Sequence, residues 1–174
     1  MFAYSELANT ASLQTKISSS VSNELSKIYV GQVPIPNYKV GEPVLVYRRY
    51  TKDPGKRYRS CVTSFCIVTG IIQAKTNGRY LMSFDELKIR IGNKSVFNEN
   101  ELIEKYNKFK NVTIIELLYY GYFGAGNNVN MDWLFNNGYW AAQDQYPTEV
   151  KLSQNQFISV LSEGKVNVSN VIIN

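Results

Sequence analysis

Hydrophobic residues fall in short, separated runs along the chain, and each run carries the spacing of one element. Ile28-Tyr29-Val30 reads as a strand entered from a short helical turn near residues 22–27. Val33-Pro34-Ile35-Pro36 cannot continue a central strand, because neither proline has an amide to donate, and is expected as an extended surface connection. Gly41 turns the chain into Val44-Leu45-Val46-Tyr47, a strand of β-branched and aromatic residues. Asp53-Pro54-Gly55 supplies turn chemistry, and a second strand runs from about Ser60 to Ile72. These two strands are expected to form a long hairpin. Lys75-Thr76-Asn77-Gly78 marks a further turn, leading to a short strand at Tyr80-Leu81-Met82.

Helix starts follow. Ser83 with Glu86 forms a capping box, in which the hydroxyl accepts from the third backbone N–H and the glutamate reaches back. Asn98 precedes Glu101 in the same way, and Leu102, Ile103, Tyr106 and Phe109 share one face of the helix beyond it. The run from Val112 to Tyr120 is a fully buried strand or a helix, with Val112, Ile114 and Ile115 favouring strand. Asn130 caps a short helix through Trp133 and Leu134 that stops at Gly138. Ser153 and Gln156 start the last helix, with Phe157, Val160 and Leu161 facing the core and Gly164 ending it; a strand-like tail runs from Val166 to Ile173. This order predicts an α+β fold, a small mixed β-barrel with short helices packed at its rim. Residues 21–174 are expected as one domain, and the Ser/Thr-rich residues 1–20 as a flexible arm.

Composition adds little to this, but charge adds a location. The chain has 19 Lys and Arg against 14 Asp and Glu, a net charge of +5. Arg48, Arg49, Lys52, Lys56, Arg57 and Arg59 lie within twelve residues and are opposed only by Asp53, so the hairpin tip holds the whole excess. A field focused in one place is what a polyanion-binding surface requires. Tyr47, Tyr50 and Tyr58 interleave with these bases as candidate stacking faces. The competing reading is a solvated hairpin tip whose charge discourages aggregation.

The absences narrow the chemistry. There is no histidine, which removes Ser-His and Cys-His nucleophilic catalysis and most zinc and iron sites. Cys61 and Cys66, five apart in one strand, point to opposite faces and are expected as reduced core residues. No nucleotide-binding glycine motif is present; Gly121, Gly124 and Gly126 lack the Lys-Ser/Thr of a phosphate loop. Carboxylates gather at helix starts, where they complement the helix dipole, so no acid–base pair stands out. No cofactor or metal is expected, and neither a signal peptide nor a membrane span is evident, so a cytoplasmic, non-catalytic protein is the expectation.

A family resemblance begins at Lys39-Val40-Gly41-Glu42-Pro43-Val44-Leu45-Val46-Tyr47-Arg48. This stretch resembles the "K-x-G-D-x-V-x-x-Y-R" hairpin opening of the PUA-like superfamily, which includes the EVE and ASCH domains, with Glu42 in place of the usual aspartate. Ser60-Cys61-Val62-Thr63-Ser64-Phe65-Cys66-Ile67-Val68 is similar to the next barrel strand. Lys94-Ser95-Val96-Phe97 and the helix after it are similar to the "R-T-V-Y-S" segment of domains fused behind GNAT-type acetyltransferases. The likeness spans roughly Tyr29 to Leu161 through short motifs. It implies a barrel with helices at its rim and a concave face that binds nucleic acid, RNA or DNA, or a modified or flipped base. On that reading Trp133, Tyr139 and Trp140 are candidate pocket walls, Asn128, Asn130 and Gln143 candidate contacts to a base edge, and Ser60, Thr63 and Ser64 candidate lining hydroxyls. Plain core packing is the alternative for each. The chain lacks an acetyl-CoA loop, so the domain is either free-standing or separated from an acetyltransferase domain on its N-terminal side. The rival function is a protein-interaction or substrate-presenting module working with an acetyltransferase or a toxin–antitoxin partner; a small-ligand sensor is a third.

Overall fold

Strands form where β-branched and aromatic residues are consecutive, and helices where a capping residue precedes an apolar stripe. A computed structural model describes residues 2–5, 26–34, 39–50, 52, 54–95, 97–139 and 149–167. Its strands are β1 (Phe2–Ser5), β2 (Ser26–Gly31), β3 (Pro43–Arg48), β4 (Cys61–Thr76), β5 (Arg79–Tyr80), β6 (Val112–Tyr122), β7 (Val129–Asn130) and β8 (Glu149–Val150). Its helices are α1 (Lys56–Arg59), α2 (Phe84–Ile91), α3 (Glu99–Lys108), α4 (Met131–Asn136) and α5 (Gln154–Glu163). The α+β class is as expected. The chain divides into two compact units, one of residues 1–21, 43–66 and 120–174, the other of residues 22–42 and 67–119. β4 and β6 each contribute to both.

In the first unit β3 lies between β4 and β1. β1 runs parallel to β3, Phe2 opposite Leu45 and Ser5 opposite Arg48, and antiparallel to β8. The start of β4 pairs with β7, Cys61 opposite Asn130. Val44, Leu45, Val46 and Tyr47 are all buried, so both faces of β3 are covered. The core gathers Leu45, Tyr47, Val62, Phe65, Phe123, Leu134 and the α5 residues Phe157, Val160 and Leu161. The capping boxes of Ser153 and Gln156 here, and of Ser83 and Asn98 in the other unit, form as their spacing predicts.

In the second unit β2 pairs antiparallel with β6, from Ser26 opposite Leu118 to Gly31 opposite Thr113. Val112 to Ile115 are buried without interruption, and the strand reading of this run holds. β4 turns into β5 through Asn77 and Gly78, whose φ values of 51° and 83° are those of a tight hairpin turn. Ile28, Ile72, Leu87, Ile91, Leu102 and Ile114 centre this core. Lys75 is buried there, its ammonium donating to the carbonyls of Tyr106 (3.2 Å) and Asn107 (3.0 Å) at the end of α3, where a cation complements the dipole.

Several expectations change. Neither unit's strand path closes among the described residues, so the sheet is open where a closed barrel was expected. The hairpin tip contains a helical turn, α1. Ile103 is 39% exposed because α3 buries a narrower stripe, Leu102 and Tyr106. Ser26 and Lys27 are strand rather than helical turn, Leu81 and Met82 lie beyond β5, and no strand is assigned at Val166. Of the expected N-terminal arm, Phe2–Ser5 is strand and residues 6–20 lie outside the described residues, as does most of the C-terminal tail. Cys61 and Cys66 are buried free thiols.

Candidate functional site

A concave pocket of about 390 Å³ opens in the first unit, lined by Arg48, Tyr50, Tyr58, Arg59, Cys61, Asn128 and Asn130. Four local structures bring these residues together. Arg48 ends β3, and Tyr50 follows it, fixed where its backbone N–H donates to the Ser60 hydroxyl at 2.9 Å. Gly55, at φ 118°, makes the left-handed entry to α1 that suits a residue without a side chain, and α1 then presents Tyr58 and Arg59. Cys61 opens β4 opposite Asn130. Asn130 caps α4 by accepting from the Trp133 N–H at 2.8 Å.

The lining is cationic and aromatic, with no carboxylate. The Arg59 guanidinium donates to the Tyr50 hydroxyl at 2.7 Å and lies 5.0 Å from that ring's centroid, so the two side chains hold each other. Tyr58 is 66% exposed, its ring open to a stacking partner. Burial pushes the Cys61 thiol pKa up, against the opposing charge and hydrogen bond of Arg48, so this lining group is a neutral thiol. The Asn128 side-chain oxygen is buried and has no hydrogen-bond partner, an arrangement that calls for a bound polar group.

Of the basic loop, then, Arg48, Tyr50, Tyr58 and Arg59 meet at one pocket. Arg57 turns away to Asp132, at 2.5 Å, and to Asn136, at 3.3 Å, with its guanidinium 5.1 Å from the Phe135 ring centroid. Tyr47 is fully buried in the core and has no free stacking face. Arg49 and Lys56 are half-buried and Lys52 is exposed, all outside the pocket lining. Ser60 and Ser64 are buried, the first serving the Tyr50 backbone, and Thr63 is half-buried beside Ser64. Trp133 packs on the hydrophobic core with its ring 5.6 Å from that of Tyr139, whose hydroxyl donates to the Gln156 carbonyl. Neither lines this pocket. Trp140 and Gln143 lie outside the described residues. Cys61 was the lining residue that sequence reasoning assigned to the core alone; only its register opposite Asn130 reveals the second role.

Short helices between the strands of an open mixed sheet are an arrangement similar to that of solved ASCH structures. The solved structures it resembles include two point variants of the ASCH protein ZmASCH from Zymomonas mobilis. One, with a tyrosine replaced by phenylalanine, superposes with a TM-score of 0.56 at 15% identity, over 85% of this chain and 91% of that one. The other, with a serine replaced by alanine, gives 0.54 at 13% identity, over 91% and 93%. At these identities the likeness is one of fold. No family model matches the sequence, and no curated protein does. No helix among the described residues is long and apolar enough to cross a membrane.

Proposed function

We propose that this chain is a nucleic-acid-binding domain that takes one base of a single strand into the pocket beside β3 and α1. The observation that carries the reading is the convergence of Arg48 and Arg59 with Tyr50, Tyr58, Asn128 and Asn130 on one cavity. Guanidiniums recognise phosphate with planar, paired donors. Tyrosine rings stack on any base, and amides read base edges. A cavity of this size falls in the range of small-ligand sites. A base taken out of its stack, modified or not, is a ligand of the right shape and polarity. The resemblance to PUA-like domains points the same way.

The binding is without turnover. The lining offers no carboxylate or lysine as a general base, and its thiol is held protonated. The test is a binding screen with fluorescent single- and double-stranded RNA and DNA of mixed sequence at two salt concentrations, followed by electrophoresis of the RNA after long incubation. Salt-sensitive binding of a single strand that is recovered intact is the expected result. No binding to any nucleic acid, with salt-insensitive association with a protein instead, would sink the reading, and cleaved RNA would sink its non-catalytic part.

A further inference from the structure

We infer that Arg57 is a positioning residue, which clamps the wall of the nucleic-acid pocket in place and does not itself bind phosphate. The inference rests on the pocket reading above, and it separates one arginine from two neighbours of identical chemistry. α1 is a single helical turn with no buried residue and no side-chain hydrogen bond at its N-cap, so its own sequence holds it weakly. Yet it carries Tyr58 and Arg59, two of the seven residues that line the pocket. Something must fix it. Arg59 ties it to Tyr50, and Arg57 ties it to α4 by three contacts: the ion pair to Asp132, the hydrogen bond to Asn136, and the ring of Phe135 beneath the guanidinium. Asp132 is held in turn, because its second oxygen accepts from the Asn136 amide at 3.2 Å. α4 is the element that Asn130 caps, and Asn130 lines the same pocket. The clamp therefore joins two walls of one cavity, and its members are only about one-third exposed, with side-chain accessibilities of 33% and 27%.

Arg57 already donates its Nε–H to a carboxylate and one terminal N–H to an amide oxygen, so a phosphate would have to compete with both. Its charge is neutralised by Asp132, so it adds little to the field that a polyanion meets. Its effect on binding is through the fraction of molecules whose α1 stands in the binding geometry.

The decisive substitution is of the acid. Arg57→Ala, Asp132→Ala and the double variant are titrated with a fluorescent mixed-sequence single-stranded RNA over a range of salt, and the thermal midpoint of each confirms folding. If Arg57 clamps, Asp132→Ala weakens binding although it removes a negative charge near a polyanion site. A roughly tenfold loss corresponds to a competent fraction of about one in ten. Arg57→Ala gives a similar loss, the double variant loses no more than either single, and the slope of log affinity against log salt stays at the wild-type value. If Arg57 instead binds phosphate, Asp132→Ala leaves affinity equal or tighter, and Arg57→Ala lowers the slope by about 0.7; either result overturns the inference. A wild-type protein that binds none of the nucleic acids in the screen overturns the pocket reading itself, an outcome distinct from these.

Discussion

Removing Arg48 and Arg59 together should change how binding responds to salt, by an amount the structure allows to be worked out. Six bases lie between residues 48 and 59, but only these two line the pocket, and Arg57 is neutralised by Asp132. Each cation that meets a phosphate of a single strand adds about 0.7 to the slope of log affinity against log salt. The Arg48→Ala, Arg59→Ala double variant should therefore lose about 1.4 from that slope. Between 50 and 200 mM salt, a fourfold interval, this amounts to a difference of about sevenfold in how far affinity falls. Fluorescence anisotropy of a labelled single strand at five or more salt concentrations resolves it. Arg59→Lys gives the companion measurement. Lysine keeps the charge and loses the planar contact with Tyr50, so affinity drops while the slope holds. A double variant that binds with the wild-type slope refutes the assignment of these arginines to phosphate.

Three further outcomes follow from the same geometry. Gly164→Ala should destabilise the fold by roughly 1–3 kcal/mol, lowering the melting temperature by roughly 2–4 °C for each kcal/mol. A methyl at Gly164 falls 2.5 to 2.8 Å from three ring atoms of the buried Phe123, while the backbone φ of −71° suits alanine; an unchanged melting curve would contradict the packing. The Glu86 carboxyl is held below its ordinary pKa by the backbone and hydroxyl of Ser83, so its contribution is complete above the unfolded value near about 4.3 and disappears as pH falls through the lower folded value. Melting curves of wild type and Glu86→Gln should converge in acid, and a gap that widens there would reverse the sign. Burial pushes the Cys66 thiol up to about 12 and raises Cys61 as well, so a thiol reagent at pH 8 should label neither until denaturant is added. Rapid labelling of either native thiol would show that it is not buried as described.

Local signals carried much of the fold. The three capping boxes are written within four residues each, so Ser83, Asn98 and Ser153 could be read without knowing what their helices pack on. β6 was legible because β-branched residues are consecutive at its start. What escaped depends on partners far along the chain. α1 has no apolar stripe or side-chain cap, and the contacts of Arg57 that help to hold it come from Asp132 and Asn136, 75 and 79 residues away. Tyr47 looked like a stacking face because of its basic neighbours, but β3 is covered on both sides. The candidate site was legible in its charge, since Arg48, Tyr50, Tyr58 and Arg59 all come from the basic run. Its far wall was half legible: Asn130 was marked by its cap, and Cys61 only by a strand register that no spacing encodes.

The parallel strand β1 has a consequence for how the protein is made. Its two neighbours are β3, available once residue 48 is synthesised, and β8, at residues 149–150. The unit built from residues 22–42 and 67–119 is complete in sequence by residue 119, whereas the other still awaits β8 and the whole of α5, which ends at residue 163. At a translation rate of about 5–20 residues per second, those 44 residues take roughly 2–9 s. Until residues 149–150 are made, within that interval, β1 can pair on one side only, and its second edge is open to any other nascent strand. The ribosome thus imposes an order on the two units: the one with the pocket is the last to finish, and a pause late in synthesis prolongs the time for which that edge is unprotected.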